Sequence, residues 1–214
     1  MLLNLERLDL LVAHYVAGCL PEPAHILVGS HLEMQPSSGR LAGELEVLAG
    51  QSLEDAEPSG LSSSESRLKA ILQSRPEIDV PPAIARQGDS LPHYLRSYAG
   101  RNLDDVPWKT KLPGLKQHVI EKSSGMEASL LWARPGRALP HHHHKGLELT
   151  LVLQGRFYDH RGAFSQGDVS VADETIIHRP VAASDSPCLC FSVLLAPITL
   201  SGPTFRMLGD ILGM

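Results

Sequence analysis

The 214-residue chain is predicted to be an α+β protein, in which an all-α N-terminal domain precedes an antiparallel β-barrel. Near the N-terminus, apolar residues recur at three- and four-residue steps, which is the period of an amphipathic helix. From residue 115 onward, short apolar segments are separated by Gly and Asp, as in strands joined by turns. The hydrophobic content of 43% is sufficient for a buried core. We expect a helical domain at 1–78, a linker at 79–92 and the barrel at 93–214.

Four helices are expected in the N-terminal domain. The first ends at Gly18, and its apolar stripe consists of Leu5, Leu8, Leu11, Val12, Tyr15 and Val16. Prolines then interrupt the chain, and a second helix is predicted at 23–34 and a third at 37–49, before a glycine. Ser62 and Glu65 have the spacing of a capping box, which predicts that a fourth helix begins there.

The second half of the chain is predicted to be mainly strand. A short helix in LPHYLRSYAG leads into it, and the strand segments are LKQHVI, ASLLWA, LELTLVL, DVSVA and CLCFSVLLA. Two stretches rich in Pro, Gly, Ser and charged residues are predicted to be linkers: QSLEDAEPSGLSS and RPEIDVPPAIARQGDSLP.

A run of histidines inside the strand-rich half is the strongest functional signal. His142, His144 and Glu148 lie between two glycines in GRALPHHHHKGLELTLVLQG, and His178 follows Gly167 by eleven residues. Three imidazoles and one carboxylate form a complete ligand set for a divalent transition metal. The sequence therefore predicts a metal site within the barrel.

The four consecutive histidines, His141 to His144, also allow a plainer interpretation as a surface run with casual affinity for metals. Their position between two predicted strands argues against it. In an extended segment, alternate side chains face opposite sides, so only one pair can line a cavity. The spacing from Gly136 favours His142 and His144, while His141 and His143 remain the alternative pair.

Charge separates the two halves and bears on partners. Residues 1–60 hold nine acidic and two basic residues, a net charge of −7, which leaves +2 for the rest of the chain. An acidic domain cannot bind phosphate backbones by counterion release, so we expect no direct binding to nucleic acid. The acidic surface suits a basic protein partner, although an ordinary solvated face is the simpler interpretation of charge alone.

The opening segment and the cysteines indicate a cytoplasmic protein. MLLNLERLDLLVAHYVAG has charged residues inside its apolar run and no basic start, so we expect neither a signal peptide nor a membrane span. Cys19, Cys188 and Cys190 cannot form an even set of disulfides, which fits a reducing compartment.

Around the histidines the chain resembles the cupin superfamily. The first cupin motif is matched in full, by Gly136, His142, His144, Glu148 and Gly155. The second, from Gly167 to His178, keeps its glycine and histidine but departs at Asp173, Thr175 and the later Ala182. The resemblance implies a double-stranded β-helix, the cupin antiparallel β-barrel, with the metal inside its mouth.

Across nearly its whole length the chain resembles the ChrR-type anti-sigma factors. The segments that carry the resemblance are DLLVAHYVAG, LPEPAHILVGSHLEM, LPHYLRSYAGR, LLWARPG, GLELTLVLQG and the C-x-C strand. It implies that the N-terminal helices bind an extracytoplasmic-function (ECF) sigma factor and that the cupin half senses oxidative stress. It also implies zinc, whereas the ligand set by itself also suits iron, manganese or nickel.

The chain departs from this family at a second zinc motif in the helical domain. His31 stands at the motif's later histidine, but the remaining ligand positions are occupied by Glu6, Gln35 and Ser38. A carboxylate, an amide and a hydroxyl do not support a closed zinc site as thiolates do. We therefore expect no zinc in the N-terminal domain, and we expect His31 to be a surface or interhelical hydrogen-bonding residue.

The mechanism implied is release of the sigma factor when water, a hydroperoxide or another small oxygenated signal binds at the metal. The joint between the domains is expected near Pro81 and Pro82.

Cys188 and Cys190 offer a redox alternative to sensing at the metal. Side chains two residues apart on a strand project about 7 Å apart, so the two cysteines are poorly placed for a mutual disulfide. A buried cysteine is also usually just a small hydrophobic residue.

The opposing hypothesis is a metal-dependent cupin enzyme of the dioxygenase or isomerase type, and a third is a non-catalytic small-molecule binding module. The same ligands with open positions would serve an enzyme. Further catalytic candidates are few, and loop or turn roles explain them more simply: Tyr158, Asp159, His160 and Asp168.

Overall fold

The computed structural model describes residues 2–74, 91–123, 125–196 and 198–200. Its helices are α1 (Leu2–Val16), α2 (Glu22–Met34), α3 (Pro36–Glu54), α4 (Ser64–Gln73) and α5 (His93–Ala99). Most of the predicted linker, including the joint expected at Pro81 and Pro82, lies outside the described residues, as do residues 201–214. No helix in the described part of the chain is long and apolar enough to cross a membrane.

The helices agree with the sequence prediction except at two ends. The helix α1 is followed by Gly18 in the left-handed region, with φ of 66°. The helix α3 continues past its predicted end to Glu54, because a glycine inside a helix costs only about 1 kcal/mol and does not force termination. The predicted capping box is wrong: α4 follows Ser63, whose φ is 61°, and no side chain caps its first turn.

Twelve strands are present among the described residues. They are β1 (Lys109–Leu112), β2 (Leu115–Ser123), β3 (Met126–Ala133), β4 (His142–His144), β5 (Glu148–Gln154), β6 (Arg156–Asp159), β7 (Gly162–Ser165), β8 (Val169–Ala172), β9 (Ile177–His178), β10 (Val181–Ala182), β11 (Cys188–Leu194) and β12 (Ile198–Leu200). All strand pairs are antiparallel, which confirms the predicted barrel class. The predicted strand segments are found, and the strands that the sequence period did not reveal are all short, with two to four residues each.

The strands form one large sheet and two small ones. The large sheet has the order β1-β2-β3-β11-β5-β8, and the small sheets have the orders β10-β6-β7 and β12-β4-β9. Side chains alternate across the large sheet, so that Cys188 and Cys190 face the small sheets while Leu189 and Phe191 face the other way. The inner face therefore belongs to the barrel cavity.

The outer face of the large sheet is covered by the helical domain. The helix α1 packs against β8, and α2 packs against β5 and β11. Leu27 and Val28 of α2 are fully buried in the same hydrophobic cluster as Phe191. The helix α5 is held on α2, because Glu33 accepts hydrogen bonds from the backbone N–H groups of His93 and Tyr94, at 2.8 and 3.0 Å. The helices and the barrel thus share one core.

Candidate metal centre

The four residues predicted to bind metal are brought together by the strands β4, β5 and β9. His142 and His144 lie on β4, His178 lies opposite His142 on β9, and Glu148 begins β5. All four are buried, at 9% exposure or less. Alternation along β4 leaves the intervening His143 more exposed, as expected for the other face of the strand.

Their ligand atoms converge on one point. The Nε2 atom of His178 is 3.0 Å from that of His142 and 3.1 Å from that of His144. The carboxylate oxygen Oε2 of Glu148 lies 3.1 to 3.9 Å from the three Nε2 atoms. Ligands about 2.0 Å from a tetrahedral zinc ion are separated by ~3.3 Å, so this spacing fits such an ion. The cluster can hold a metal ion.

Hydrogen bonds fix which ring nitrogen faces the centre. The Nδ1 atom of His142 is 2.8 Å from the carbonyl oxygen of Pro140, and that of His178 is 3.0 Å from Oδ2 of Asp159. Each Nδ1 must donate to its acceptor, so each neutral ring directs a lone pair from Nε2 toward the other ring. Two lone pairs 3.0 Å apart repel each other unless a cation or a proton lies between them. This arrangement suits a bound metal ion.

The charge of Glu148 is stabilised within the cluster. In the absence of a metal ion, protons on the Nε2 atoms take its place: burial by itself raises the pKa of Glu148, but hydrogen bonds from His142, His144 and His178 then outweigh burial and hold that pKa well below its usual range. Ser192 adds a further contact, with its hydroxyl 3.4 Å from Oε1. Glu148 is therefore an anion, which is the form in which a carboxyl group binds a metal ion.

Asp159 has the expected turn role, because its Oδ1 accepts the backbone N–H of Arg161 at 2.8 Å, and it also orients His178. Its side chain is fully buried and also accepts hydrogen bonds from Arg161, the shortest at 2.6 Å. Burial raises the pKa of Asp159, but His178 and Arg161 outweigh burial and lower it. A carboxylate behind a ligating imidazole fixes the ring and increases its basicity. The sequence could have suggested this role only through the aspartate's place at the end of a strand.

The other three residues considered as catalytic candidates lie away from the cluster. Tyr158 and His160 are exposed. Asp168 accepts a hydrogen bond from the backbone N–H of Ser165 at 2.8 Å, which is the expected turn role.

A cavity of about 500 Å³ opens from the cluster to the surface. Its walls are largely apolar, with a polar track on β2 and β3 in which Gln117 donates to Glu127 and Ser129, at 2.9 and 3.0 Å. His142 and Glu148 lie among its lining residues. A small molecule can therefore reach the cluster without unfolding the barrel.

Cys188 and Cys190 lie on the inner face of β11, and their sulfur atoms are 3.6 Å apart. The expected separation of about 7 Å was wrong. The register of β11 against β5 shifts between Leu189 and Cys190, and such an irregularity changes how neighbouring side chains project. The neighbouring thiol and burial raise the pKa of Cys190 well above its usual value, which opposes formation of the reactive thiolate.

The degenerate motif of the helical domain forms a hydrogen-bonded contact. His31 is buried, at 2% exposure, and its Nε2 atom lies 2.9 Å from the hydroxyl of Ser38 on α3, an interhelical bond as expected. Its Nδ1 atom lies 2.7 Å from the carbonyl oxygen of Gly167 in the barrel, a contact that the sequence did not reveal. Gln35 lies beside Gly167, while the side chain of Glu6 lies outside the described part of the chain.

The fold and the centre together define a cupin domain with a buried three-histidine, one-glutamate cluster and an N-terminal helical domain. The family model for the ChrR cupin-like domain matches residues 97–197. The anti-sigma-E factor ChrR of Cereibacter sphaeroides is 37% identical over 191 residues, which cover 89% of each chain.

The crystal structure of Rhodobacter sphaeroides SigE in complex with the anti-sigma ChrR matches with a TM-score of 0.72 and 36% identity, covering 87% of this chain and 96% of that one. The chain therefore belongs to the ChrR family of anti-sigma factors. This is a family of regulators and not of enzymes, which agrees with the resemblance seen in the sequence and not with the enzymatic hypothesis.

Proposed function

We propose that this protein is an anti-sigma factor whose helical domain sequesters an ECF sigma factor and whose cupin domain controls release. One observation carries the proposal: the end of α3, the segment after it and the helix α4 expose large apolar side chains. Seven of these are between 57% and 76% exposed, namely Val47, Leu48, Leu53, Leu61, Leu68, Ile71 and Leu72. An exposed apolar group of this size is typical of a protein–protein interaction site.

The helix α4 has the pattern of a docking helix. Leu68, Ile71 and Leu72 are spaced by three and four residues, so they share one face. No residue of this helix is buried, so its apolar face is not used by the fold described here. Burying three such side chains against a partner contributes about 1.5–3 kcal/mol each. That is sufficient to make this face a main anchor of the complex.

Charge supports a protein partner with a basic surface. The first 60 residues have a net charge of −7, which favours encounter with a basic surface and disfavours direct contact with DNA. A sigma factor, whose own task includes holding promoter DNA, has such a surface. The proposal places the chain in the cytoplasm, where a sigma factor meets RNA polymerase.

For the cupin domain, we propose one divalent transition metal held by His142, His144, Glu148 and His178, with zinc favoured over iron, manganese and nickel. A bound ion would supply Lewis acidity at the floor of the cavity, and a signal molecule would bind as a ligand additional to the four side chains. His142 and His178 hold their lone pairs toward it through Pro140 and Asp159. We propose that oxidative stress, conveyed by a hydroperoxide or another small oxygenated molecule, acts at this ion.

The sigma-binding proposal is tested by copurification. An ECF sigma factor of the same organism is expressed with the full chain, and the complex is measured by affinity capture and by transcription in vitro. A Leu68→Asp/Leu72→Asp variant should lose at least about 100-fold in affinity, because several kcal/mol of apolar burial is removed. Glu65→Ala on the same helix serves as the matched control. Failure of the intact chain to bind any of the organism's ECF sigma factors would contradict the proposal.

A further inference from the structure

The strand β8 lies between the candidate metal centre and the helical domain. All four of its residues are buried, although it is the edge strand of the large sheet. Val169 and Val171 face outward into the cluster formed with α1 and α2. On the inner face, the hydroxyl of Ser170 accepts a hydrogen bond from Arg161 at 2.8 Å. A single four-residue strand thus contacts both parts of the protein.

Both ends of β8 are tied to the helical domain by polar contacts. Before the strand, the carbonyl oxygen of Gly167 accepts a hydrogen bond from the buried ring of His31 at 2.7 Å. After the strand, the carboxylate of Asp173 pairs with the guanidinium of Arg7 on α1 at 2.6 Å. Both side chains of the ion pair are about one third exposed, so this contact can open without unfolding either domain.

The same strand is paired directly with one of the proposed metal ligands and leads to a second. Its last residue, Ala172, pairs with Glu148 in the ladder between β5 and β8. The chain then runs from Asp173, whose carboxylate is fixed by Thr175, to His178 on β9. Only four residues separate Asp173 from His178, so a movement of one is transmitted to the other over a short distance.

We propose that β8 and the loop after it couple metal binding to docking of the helical domain, with Arg7 and His31 as positioning residues that act through Asp173 and Gly167. The inference rests on the proposed metal centre and extends it. An ion at the cluster holds Glu148 and His178 in place, and through them it holds the surface on which the helical domain docks. A change of ligation at the metal then loosens the helical domain, which is how a signal reaches the sigma-binding helices.

Thermodynamic linkage makes the coupling reciprocal: if a bound ion strengthens docking by some factor, docking strengthens metal binding by the same factor. A variant that populates the undocked state must therefore bind metal more weakly. Arg7 is the sharpest probe, because it lies in the helical domain and has no contact with the metal-binding residues among the contacts described. Couplings between sites are typically 5- to 150-fold, and a partly exposed ion pair contributes at the lower end of that scale. We expect Arg7→Ala to weaken zinc binding by about 3- to 5-fold, which corresponds to the loss of a contact of up to about 1 kcal/mol.

The experiment uses the full chain and zinc alone. Zinc affinity is measured by competition with a chromophoric chelator for the wild type, Arg7→Ala, His31→Ala and a charge reversal, Arg7→Asp with Asp173→Arg. The matched control is Arg156→Ala, which removes the exposed ion pair of Arg156 with Asp185 on the barrel. Hydrogen exchange of the α1 and α2 amides is then followed with and without zinc.

The coupling predicts weaker zinc binding in Arg7→Ala and His31→Ala, partial recovery in the charge reversal, and no more than a twofold change in Arg156→Ala. It also predicts that zinc slows exchange in α1 and α2 of the wild type. Unchanged zinc affinity in Arg7→Ala, with helix content retained by circular dichroism, would overturn it even if His31→Ala unfolds the domain. A wild type that takes up no zinc would overturn the proposed metal centre itself. Normal zinc uptake that does not depend on Arg7 would overturn only the coupling.

Discussion

Replacing Asp159 by Asn tests whether this carboxylate prepares His178 for a metal ion. Asp159 lies 3.0 Å from Nδ1 of His178 and 2.6 Å from the guanidinium of Arg161, and its side chain is fully buried. The amide has nearly the same shape and its oxygen can still accept from Nδ1. What the substitution removes is the negative charge that increases the basicity of the ring.

Loss of such a partner usually weakens metal binding by about 10- to 100-fold, which corresponds to about 1.4–2.8 kcal/mol. The apo protein should be destabilised as well, because Arg161 is left with only 11% exposure beside a neutral amide. The pKa of Asp159 is lowered in the folded chain, so the ionised carboxylate raises the free energy of unfolding at neutral pH. This stabilisation is lost only as the pH falls below about 3.9.

Zinc affinity is measured near neutral pH by competition with a chelator. The free energy of unfolding of the apo protein is measured by urea titration. Asp185→Asn is the matched control, because Asp185 also pairs with an arginine on the barrel but is largely exposed and is not bonded to any proposed ligand. An Asp159→Asn protein that is folded and binds zinc within twofold of the wild type would refute the reasoning.

Three further results are expected. Metal analysis should find one zinc ion per chain in the wild type and in His31→Ala but none in His142→Ala; zinc retained by His142→Ala would move the site elsewhere. Burial lowers the pKa of His31 from 6.5, so the free energy of unfolding should fall as the pH drops below about 6.5, and less so in His31→Gln; equal pH profiles would contradict this. Gly155→Ala should lower the free energy of unfolding by at least about 2 kcal/mol in urea titration. The φ angle of Gly155 is 72°, and an added Cβ would lie 2.1 Å from the carbonyl oxygen of Pro187. A loss below about 0.5 kcal/mol would contradict this, because it would show that the turn relaxes.

The sequence predicted most of the fold because its periods are local. The apolar stripe of α1 and the strand segments of the barrel depend on residues a few positions apart. The end of α3 was placed too early, at Gly50, because the preference of glycine for helix ends is weak beside continued backbone hydrogen bonding. The short strands β9 and β10 hold two residues each, which is below the length at which any period can be recognised.

The proposed ligands were also within reach of the sequence, because strand alternation puts His142 and His144 on one face and the resemblance to the cupin motifs adds Glu148 and His178. The hydrogen bond that orients His178 could not be predicted in this way. Asp159 lies nineteen residues before His178, and only the folding of β6 against β10 and of β9 against β4 brings the two side chains together. Distances set by strand pairing across the chain have no local signature.

The sequence by itself therefore determined the class of each half and the order of the helices and the larger strands, because these depend on side chains close together along the chain. The residues proposed to hold the metal followed from the two cupin motifs, which bring in His178 from a distant segment. Tertiary structure alone decided how the halves meet. His31 and Gly167 are separated by 136 positions, yet they share a hydrogen bond. The outer face of the large sheet is buried by helices α1 and α2, and nothing in the sequence of these helices predicts that they pack there. The continuous apolar run of β11 was the one local sign of that burial, since a strand needs apolar residues on both faces only when both are covered.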